Sequence, residues 1–203
     1  IEASEERVAE VRSQLNLDSP IPEQFGSYIW NAAQGNLGVS FWQDVPALSL
    51  VLERLPATFL LAGVAVLFAV PLGLVLGLIA ASRPGSLIDR AVSVISLSAV
   101  SIVEFWIALV LILVVAVQLG ILPTSGFRSW EYVILPALAL AYKPMGRTAQ
   151  MTRSSILEEL SKPYVRALVA RGIPQKRIIG VHALKNAALP IITVTGDDIA
   201  QLL

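Results

Sequence analysis

The stretch TFLLAGVAVLFAVPLGLVLGLIAA, residues 58–81, decides the fold of this chain because it contains no charged side chain. As a helix, about 24 residues at roughly 1.5 Å each extend about 36 Å, which exceeds the roughly 30 Å hydrocarbon core of a bilayer. Across all 203 residues, 55% are hydrophobic and 15% are charged, and the mean hydropathy is +0.70. Soluble domains carry about a quarter charged residues. The sequence therefore predicts an all-α, multi-pass membrane protein.

Further apolar stretches follow this one, and Pro and Gly residues separate them as turn residues do. We predict spans at about residues 58–81, 91–119 and 132–152, and a fourth at 189–203 that the end of the sequence truncates. The chain begins without Met and ends inside an apolar run. We therefore expect a piece of a longer polypeptide.

The charges are sorted along the chain and predict its orientation. Residues 1–54 contain three basic and eight acidic residues, whereas residues 143–185 contain nine basic and two acidic residues. Short loops rich in Lys and Arg stay in the cytoplasm. We therefore predict an extracytoplasmic segment at 1–54 and a transmembrane domain at 55–203 with a cytoplasmic loop at 153–188. Within the first segment, Val8, Val11 and Leu15 have the spacing of a short amphipathic helix.

The residue inventory excludes several kinds of chemistry. There is no cysteine, so disulfides and thiolate chemistry are excluded, and a single histidine, His182, excludes a His-rich metal site. No GxSxG, HExxH or Walker-type motif occurs, so we expect neither an enzyme nor an ATP-binding chain. His182 has no nucleophile or carboxylate at a useful spacing, and we interpret it as a packing or hydrogen-bonding residue.

The cytoplasmic loop contains the most informative motif, YVRALVARGIPQKRIIGVHALKNAALP, residues 164–190. It has five basic residues and no acid, so it cannot be exposed to lipid. Lys162-Pro163 and Gly172 with Pro174 predict helix breaks, and Gly172 suits a tight turn or a close backbone approach. Ala167 and Ala170 keep one helix face small. From these residues alone, a docking surface and an ordinary solvated basic loop are equally acceptable.

The spacing of Ala167, Gly172, His182, Asn186 and Pro190 resembles the signature loop of bacterial ABC importer permeases, in the dipeptide, oligopeptide and nickel branch. Other stretches agree in order and cover nearly the whole chain: LDSPIP (17–22), GNLGVS (35–40), ERLPAT (53–58), SIVEFW (101–106), LGILPTSG (119–126), LPALALA (135–141) and RSSILEEL (153–160). Some positions depart from the family pattern: Arg166 replaces a glutamate, Asn36 an aspartate and Val103 a proline, and Asp197 and Asp198 stand where apolar residues are expected.

The resemblance implies a helix bundle of the type I importer permease kind, here a fragment lacking the first and last spans, in a bacterial or archaeal inner membrane. It implies that a coupling helix docks on a cytoplasmic ATPase through Ala167, Ala170, Arg171, Gly172, His182, Asn186 and Pro190. It also implies the partners. They are a second homologous permease in a homo- or heterodimer, two ATPase subunits that bind ATP and Mg, an extracytoplasmic solute-binding protein and the lipid bilayer. We expect no nucleic-acid partner and no cofactor or metal in this chain. Peptides or related small solutes are the expected cargo, and the sequence leaves the cargo open among dipeptides, oligopeptides, glutathione, nickel chelates and sugars.

Three charged residues fall within predicted spans: Glu104, Lys143 and Arg147. A charge at the bilayer centre costs about 2.5–3.5 kcal/mol on insertion scales, so it usually faces a cavity or a partner. Assuming straight helices, Glu104 and Lys143 lie near mid-bilayer. They could form a structural ion pair or line a translocation path, or the span could slide so that Arg147 reaches the cytoplasmic surface. Pro144 and Gly146 are expected to loosen the helix there.

A function of another class stays open, namely a membrane scaffold without transport activity or a membrane enzyme whose basic loop is incidental. Co-purification with an ATPase would separate this alternative from a permease.

Overall fold

The computed structural model of the chain describes residue 12 and residues 18–40, 42–126 and 129–203. The predicted amphipathic helix over Val8, Val11 and Leu15 lies outside the described residues. The chain divides into two compact units, Ile1–Ala57 and Thr58–Leu203. The described residues contain no β-strand, only an isolated bridge between Val39 and Pro46.

The first unit contains helix α1, Ile21–Ala33. A proline in its first turn fits the start of a helix, where the missing N–H would have no intrahelical partner. Beyond the helix, the Asn36 Oδ1 accepts a hydrogen bond of 3.1 Å from the Gly38 amide.

Six helices follow, and the first of them begins before the division between the units. They are α2 (Ala47–Ser82), α3 (Leu87–Ser101), α4 (Glu104–Leu111, continued by a π-helical segment Ile112–Gln118), α5 (Glu131–Ser161), α6 (Pro163–Ala170) and α7 (Gln175–Leu202, which includes a π-helical segment Ile178–Ala183). Among the described residues, α2 and α7 are long and apolar enough to cross a membrane.

The straight helix that we assumed within the predicted span at 91–119 is not present. The chain instead bends by 110° between α3 and the helix that begins at Glu104. Ile102 and Val103 adopt extended backbone conformations, which β-branched residues favour, although no proline is present. The depth calculated for Glu104 along a straight helix therefore does not apply. If the bent pair is one broken span, it is a third candidate to cross the membrane.

Helix α5 is packed between α2 and α3 through glycines. A Cβ atom at Gly73 of α2 would lie 2.7 Å from the Thr148 Cβ atom. A Cβ atom at Gly77 of the same helix would lie 2.5 Å from the Thr152 Cβ atom. A Cβ atom at Gly146 of α5 itself would lie 2.5 Å from the Ala99 Cβ atom on α3. Small residues allow membrane helices to approach this closely. Gly146 is therefore a contact point, and α5 stays helical past Pro144 rather than loosening there.

Beyond this contact, the second half of α5 continues as the same helix to Ser161. The sequence predicted the end of a span near 152 and a cytoplasmic loop from 153 onward. Instead, Ile156 of α5 packs with Ala81 of α2 and with Ile179, Ala183, Ala187 and Ile191 of α7 in one apolar cluster. This cluster makes the predicted cytoplasmic loop an extension of the helix bundle.

An ion pair joins the start of α3 to α5. Asp89 is only 3% exposed and accepts two hydrogen bonds from the Arg153 guanidinium, from Nε and, at 2.9 Å, from Nη2. The Gly85 amide donates to the same carboxylate at 2.9 Å, and the Ser86 hydroxyl caps the helix. The bonds from Arg153 and Gly85 outweigh burial and lower the pKa of Asp89 from 3.8 to about 2. A lowered pKa stabilises the fold at neutral pH, and this contribution is lost only as pH falls from 3.8 toward about 2.

Gly77→Ala should destabilise the protein, because its new methyl group would overlap Thr152 and the Ala149 carbonyl, which lies 2.7 Å away. Overpacking of this kind costs about 1–3 kcal/mol. The matched control is Gly63→Ala on the same helix, where nothing lies within 4 Å of the added atom. Thermal unfolding in detergent should show a lower midpoint for Gly77→Ala alone. Equal midpoints for the two variants would contradict the close contact.

A double-mutant cycle tests the ion pair between α3 and α5. Asp89→Leu should leave the Arg153 guanidinium without its partner, and Arg153→Leu should leave the buried carboxylate unpaired. The double variant should therefore lose less free energy of unfolding than the two single variants lose together, by about 1–3 kcal/mol. Additive single effects would show that the pair contributes nothing.

Candidate functional site

Helix α6 is a short helix held at the surface of the bundle. Only Val165 of its eight residues is buried, whereas Val169 is 60% exposed. Ala167 and Ala170 lie exposed beside it, so the helix presents small side chains and one exposed apolar side chain. Arg166 and Arg171 are exposed as well. The small side chains let a partner approach closely, and the two arginines give the surface a positive charge. Such a surface suits a groove with acidic edges.

The end of α6 is fixed by a glycine in the left-handed region. Gly172 has a φ of +73°, and its amide donates to the Val169 carbonyl at 2.9 Å. The Ile173 amide donates to the Leu168 carbonyl at 3.2 Å. These two bonds form a Schellman motif, in which glycine is preferred because it lacks the Cβ that crowds this conformation. Among the described residues, no neighbouring atom lies within 4 Å of where a Gly172 Cβ would be, so the turn and not a close neighbour requires glycine there.

A hydrogen-bond network braces α6 against α5 and α7. Glu159 near the end of α5 is nearly buried, pairs with the Lys162 ammonium and accepts a hydrogen bond of 2.8 Å from the Tyr164 hydroxyl. The Asn186 side chain on α7 donates to that hydroxyl at 3.1 Å. Lys162 lowers the pKa of Glu159 more than burial raises it, so the carboxylate stays charged at neutral pH. Burial and the bond to Glu159 raise the pKa of Tyr164, which keeps its proton on the hydroxyl.

The other predicted loop residues lie on α7 and not on α6. His182 is in the π-helical segment and half-buried, and Pro190 lies inside the helix further along. Of this group, Asn186 alone is joined to α6 by the network described above. The predicted site therefore consists of the exposed α6 surface and of residues on the helix that supports it.

The structure brings two of the predicted membrane-depth charges together. The Lys143 ammonium on α5 lies 3.3 Å from the Glu104 carboxylate at the start of α4, with side chains 38% and 47% exposed. The pair borders an open cavity of about 540 Å³ beside the break between α3 and α4. An ion pair of this exposure contributes little stability, roughly 0–1 kcal/mol in water. Its position beside a cavity suits either interpretation made from the sequence.

Arg147 pairs with a different helix. Its guanidinium donates to Asp198 on α7 and, at 2.8 Å, to Asp197. Asp198 is 4% exposed, and its Oδ2 atom has no hydrogen-bond partner among the described residues. The two aspartates, unexpected in an apolar segment, are thus counter-ions for Arg147. The sequence contained a signal for this pairing, because two acids and one arginine within predicted spans are expected to find partners.

Glu159 was also missed as a functional residue. The signal for it was an acid at the edge of an otherwise basic loop, three residues before Lys162 and five before Tyr164. Sequence spacing predicts the contact with Lys162 on a helix surface. It does not predict the contact with Asn186, which lies 22 residues beyond Tyr164.

Comparison with known proteins finds relatives whose names all describe peptide transport permeases. The chain is 37% identical to the di/tripeptide transport system permease protein DppB of Pseudomonas aeruginosa, over 96% of this chain and 66% of the relative. It is 33% identical to the dipeptide transport system permease protein DppB of Escherichia coli strain K12, over 98% of this chain and 68% of the relative. A relative in Brucella abortus is 35% identical over 96% of this chain and 64% of its own length. The chain thus spans about two thirds of the length of these curated relatives.

A family model gives the same result for the larger unit. The model of binding-protein-dependent transport system inner membrane components matches residues 73–203, which include α3 to α7. Together with the apolar helices, this match confirms the predicted all-α membrane fold and the inner-membrane location. The names of the relatives describe permeases and not enzymes, as the residue inventory predicted. The chain belongs to the family of binding-protein-dependent transport system inner membrane components.

Proposed function

We propose that this chain is a membrane-spanning permease subunit of an ATP-driven ABC importer, for peptides or related small solutes. The observation that carries the proposal is the exposed α6 helix, which is held to the bundle through Tyr164 at its start and ends in the Gly172 turn. The family match and the names of the relatives support transport of this kind. In this proposal, the chain forms half of the translocation path together with a second, homologous permease.

Coupling to ATP hydrolysis would pass through α6. Its small, exposed residues Ala167 and Ala170 fit a groove on an ATPase subunit, and Arg171 beside them would meet acidic groups at its edge. Each permease of the pair would dock on one of two ATPases, which bind ATP and Mg and carry out the hydrolysis. The extracytoplasmic segment, residues 1–54, and the connector at 120–131 are the surfaces available to a solute-binding protein.

The supports of α6 suit a lever. The hydrogen bond from Tyr164 to Glu159 crosses the break at Lys162-Pro163, and Glu159 is part of the same continuous helix as Gly146 and Lys143, so a displacement of α6 would be passed to the membrane region. The link from Tyr164 to Asn186 passes the same displacement to α7. Two-state switching between inward-open and outward-open forms requires a stiff element of this kind.

Gly172→Glu should uncouple transport and leave membrane insertion intact. The substitution strains a residue with positive φ and adds a negative charge to a surface that we propose docks against acidic groups. ATP-dependent uptake of dialanine into proteoliposomes containing the complete transporter should fall at least about tenfold, because backbone strain of roughly 1–3 kcal/mol together with the repulsion from the added charge exceeds the about 1.4 kcal/mol that corresponds to tenfold.

Gly172→Asn is the matched control, because asparagine tolerates the left-handed conformation and adds no charge. It should keep most of the uptake. Normal uptake together with normal ATPase co-purification in Gly172→Glu would contradict the proposed docking role of this turn.

Charge reversal distinguishes the two interpretations of Glu104 and Lys143. Glu104→Lys and Lys143→Glu alone should each reduce uptake, because like charges would meet at about the 3.3 Å distance of the present pair. The double variant should regain most of the uptake if the pair only joins α4 to α5. A double variant that assembles normally and still does not transport would show instead that these residues contact the solute.

A further inference from the structure

A groove lined by polar and apolar side chains runs along α5, nearer the C-terminal end of this helix than the Lys143 pair. Its volume is about 490 Å³, and it lies between α3, α5 and α7. Four of its lining residues belong to one face of α5, namely Arg147, Gln150, Met151 and Ser154. The other lining residues are Ser93, Leu97, Arg153 and Val194.

Most of the polar groups that line the groove can donate hydrogen bonds, although the Ser154 hydroxyl already donates to the Gln150 and Met151 carbonyls. The lining has two guanidinium groups, one amide and two hydroxyls, and no carboxylate lines it. Asp89 and the aspartates of α7 compensate the charges of Arg153 and Arg147 from outside the lining. The Gln150 amide has no hydrogen-bond partner among the described residues, and Nη1 of Arg153 is not used by Asp89. The groove therefore offers donors to a ligand that carries acceptors, without a strong net charge.

The dimensions of the groove fit a short peptide. From Arg147 to Ser154 the helix rises about 10 Å, at roughly 1.5 Å per residue. An extended peptide covers about 3.3–3.6 Å per residue, so two or three residues match this length. The carbonyl oxygens and terminal carboxylate of a peptide are acceptors, as the lining requires.

We propose that this groove is the part of the translocation path that holds the cargo through its carboxylate and carbonyl oxygens, with Gln150 and Arg153 as donors. This inference rests on the proposed permease function. Because Asp89 compensates Arg153, binding in the groove is weak, and a transport path needs sites that release what they bind. The charge-based topology puts Ser154 and Arg153 at the cytoplasmic end of this part of the path.

The absence of cysteine from the sequence makes a labelling experiment possible. Ser154→Cys places a thiol in the groove, and Ser161→Cys, exposed further along α5 and outside the groove, is the matched control. The complete transporter in proteoliposomes would be treated with a maleimide, with and without saturating dialanine or its C-terminal amide. We expect dialanine to slow labelling of Ser154→Cys at least threefold and its amide to protect less, while Ser161→Cys reacts equally in all samples.

A second variant measures transport directly. Gln150→Leu removes one donor to a charged group and should lower kcat/KM for dialanine about tenfold. Gln118→Leu, an equally conservative change in the π-helical segment after α4, should have no effect. Equal protection by dialanine and its amide, or unchanged kcat/KM in Gln150→Leu, overturns the inference while wild-type uptake continues. If the wild-type transporter shows no ATP-dependent uptake of dialanine, the proposed function for peptides fails, and the inference fails with it.

Discussion

The close contact of α5 with its neighbours is the constraint on which the rest of the structure depends. Glycines at Gly73, Gly77 and Gly146 let backbones approach to distances at which any Cβ atom would overlap a neighbour. Lipid tails are as apolar as leucine, so van der Waals contact of this kind and polar links hold membrane helices together. A single helix held in this way for 31 residues, Glu131–Ser161, connects the membrane region with the exposed α6 surface.

Ionic contacts add specificity to this packing. Three cations on α5 each find a carboxylate on a different neighbour: Lys143 on α4, Arg147 on α7 and Arg153 at the start of α3. An unpaired charge at membrane depth is costly, so each pair fixes which helix lies beside α5 and at which height. Because of these pairs, the polar face of α5 carries almost no net charge. The groove on this face can therefore offer hydrogen-bond donors without binding anions tightly.

The sequence predicted features that depend on local chemistry and suggested one tertiary contact, the pair of Glu104 and Lys143, but it missed other tertiary contacts. The uncharged stretch 58–81 and the breaks at Lys162-Pro163 and Gly172 follow from residue type alone, and the structure has helix and breaks at these places. The break at Ile102 and Val103 was not predicted, because two β-branched residues in an apolar run do not differ from a helix interior by pattern. The partners of Arg147, at Asp197 and Asp198, lie about 50 residues away and become apparent only when α7 packs against α5.

Pulsed electron paramagnetic resonance can measure whether α6 moves as one rigid body with its supporting helices. Spin labels at Val169→Cys on α6 and Lys185→Cys on α7 would be the only labels on a chain that contains no cysteine of its own. A rigid lever predicts one narrow distance distribution between them, unchanged between the nucleotide-free and the ATP-bound complete transporter. A broad distribution, or a distance that shifts by several ångströms when ATP binds, would contradict it.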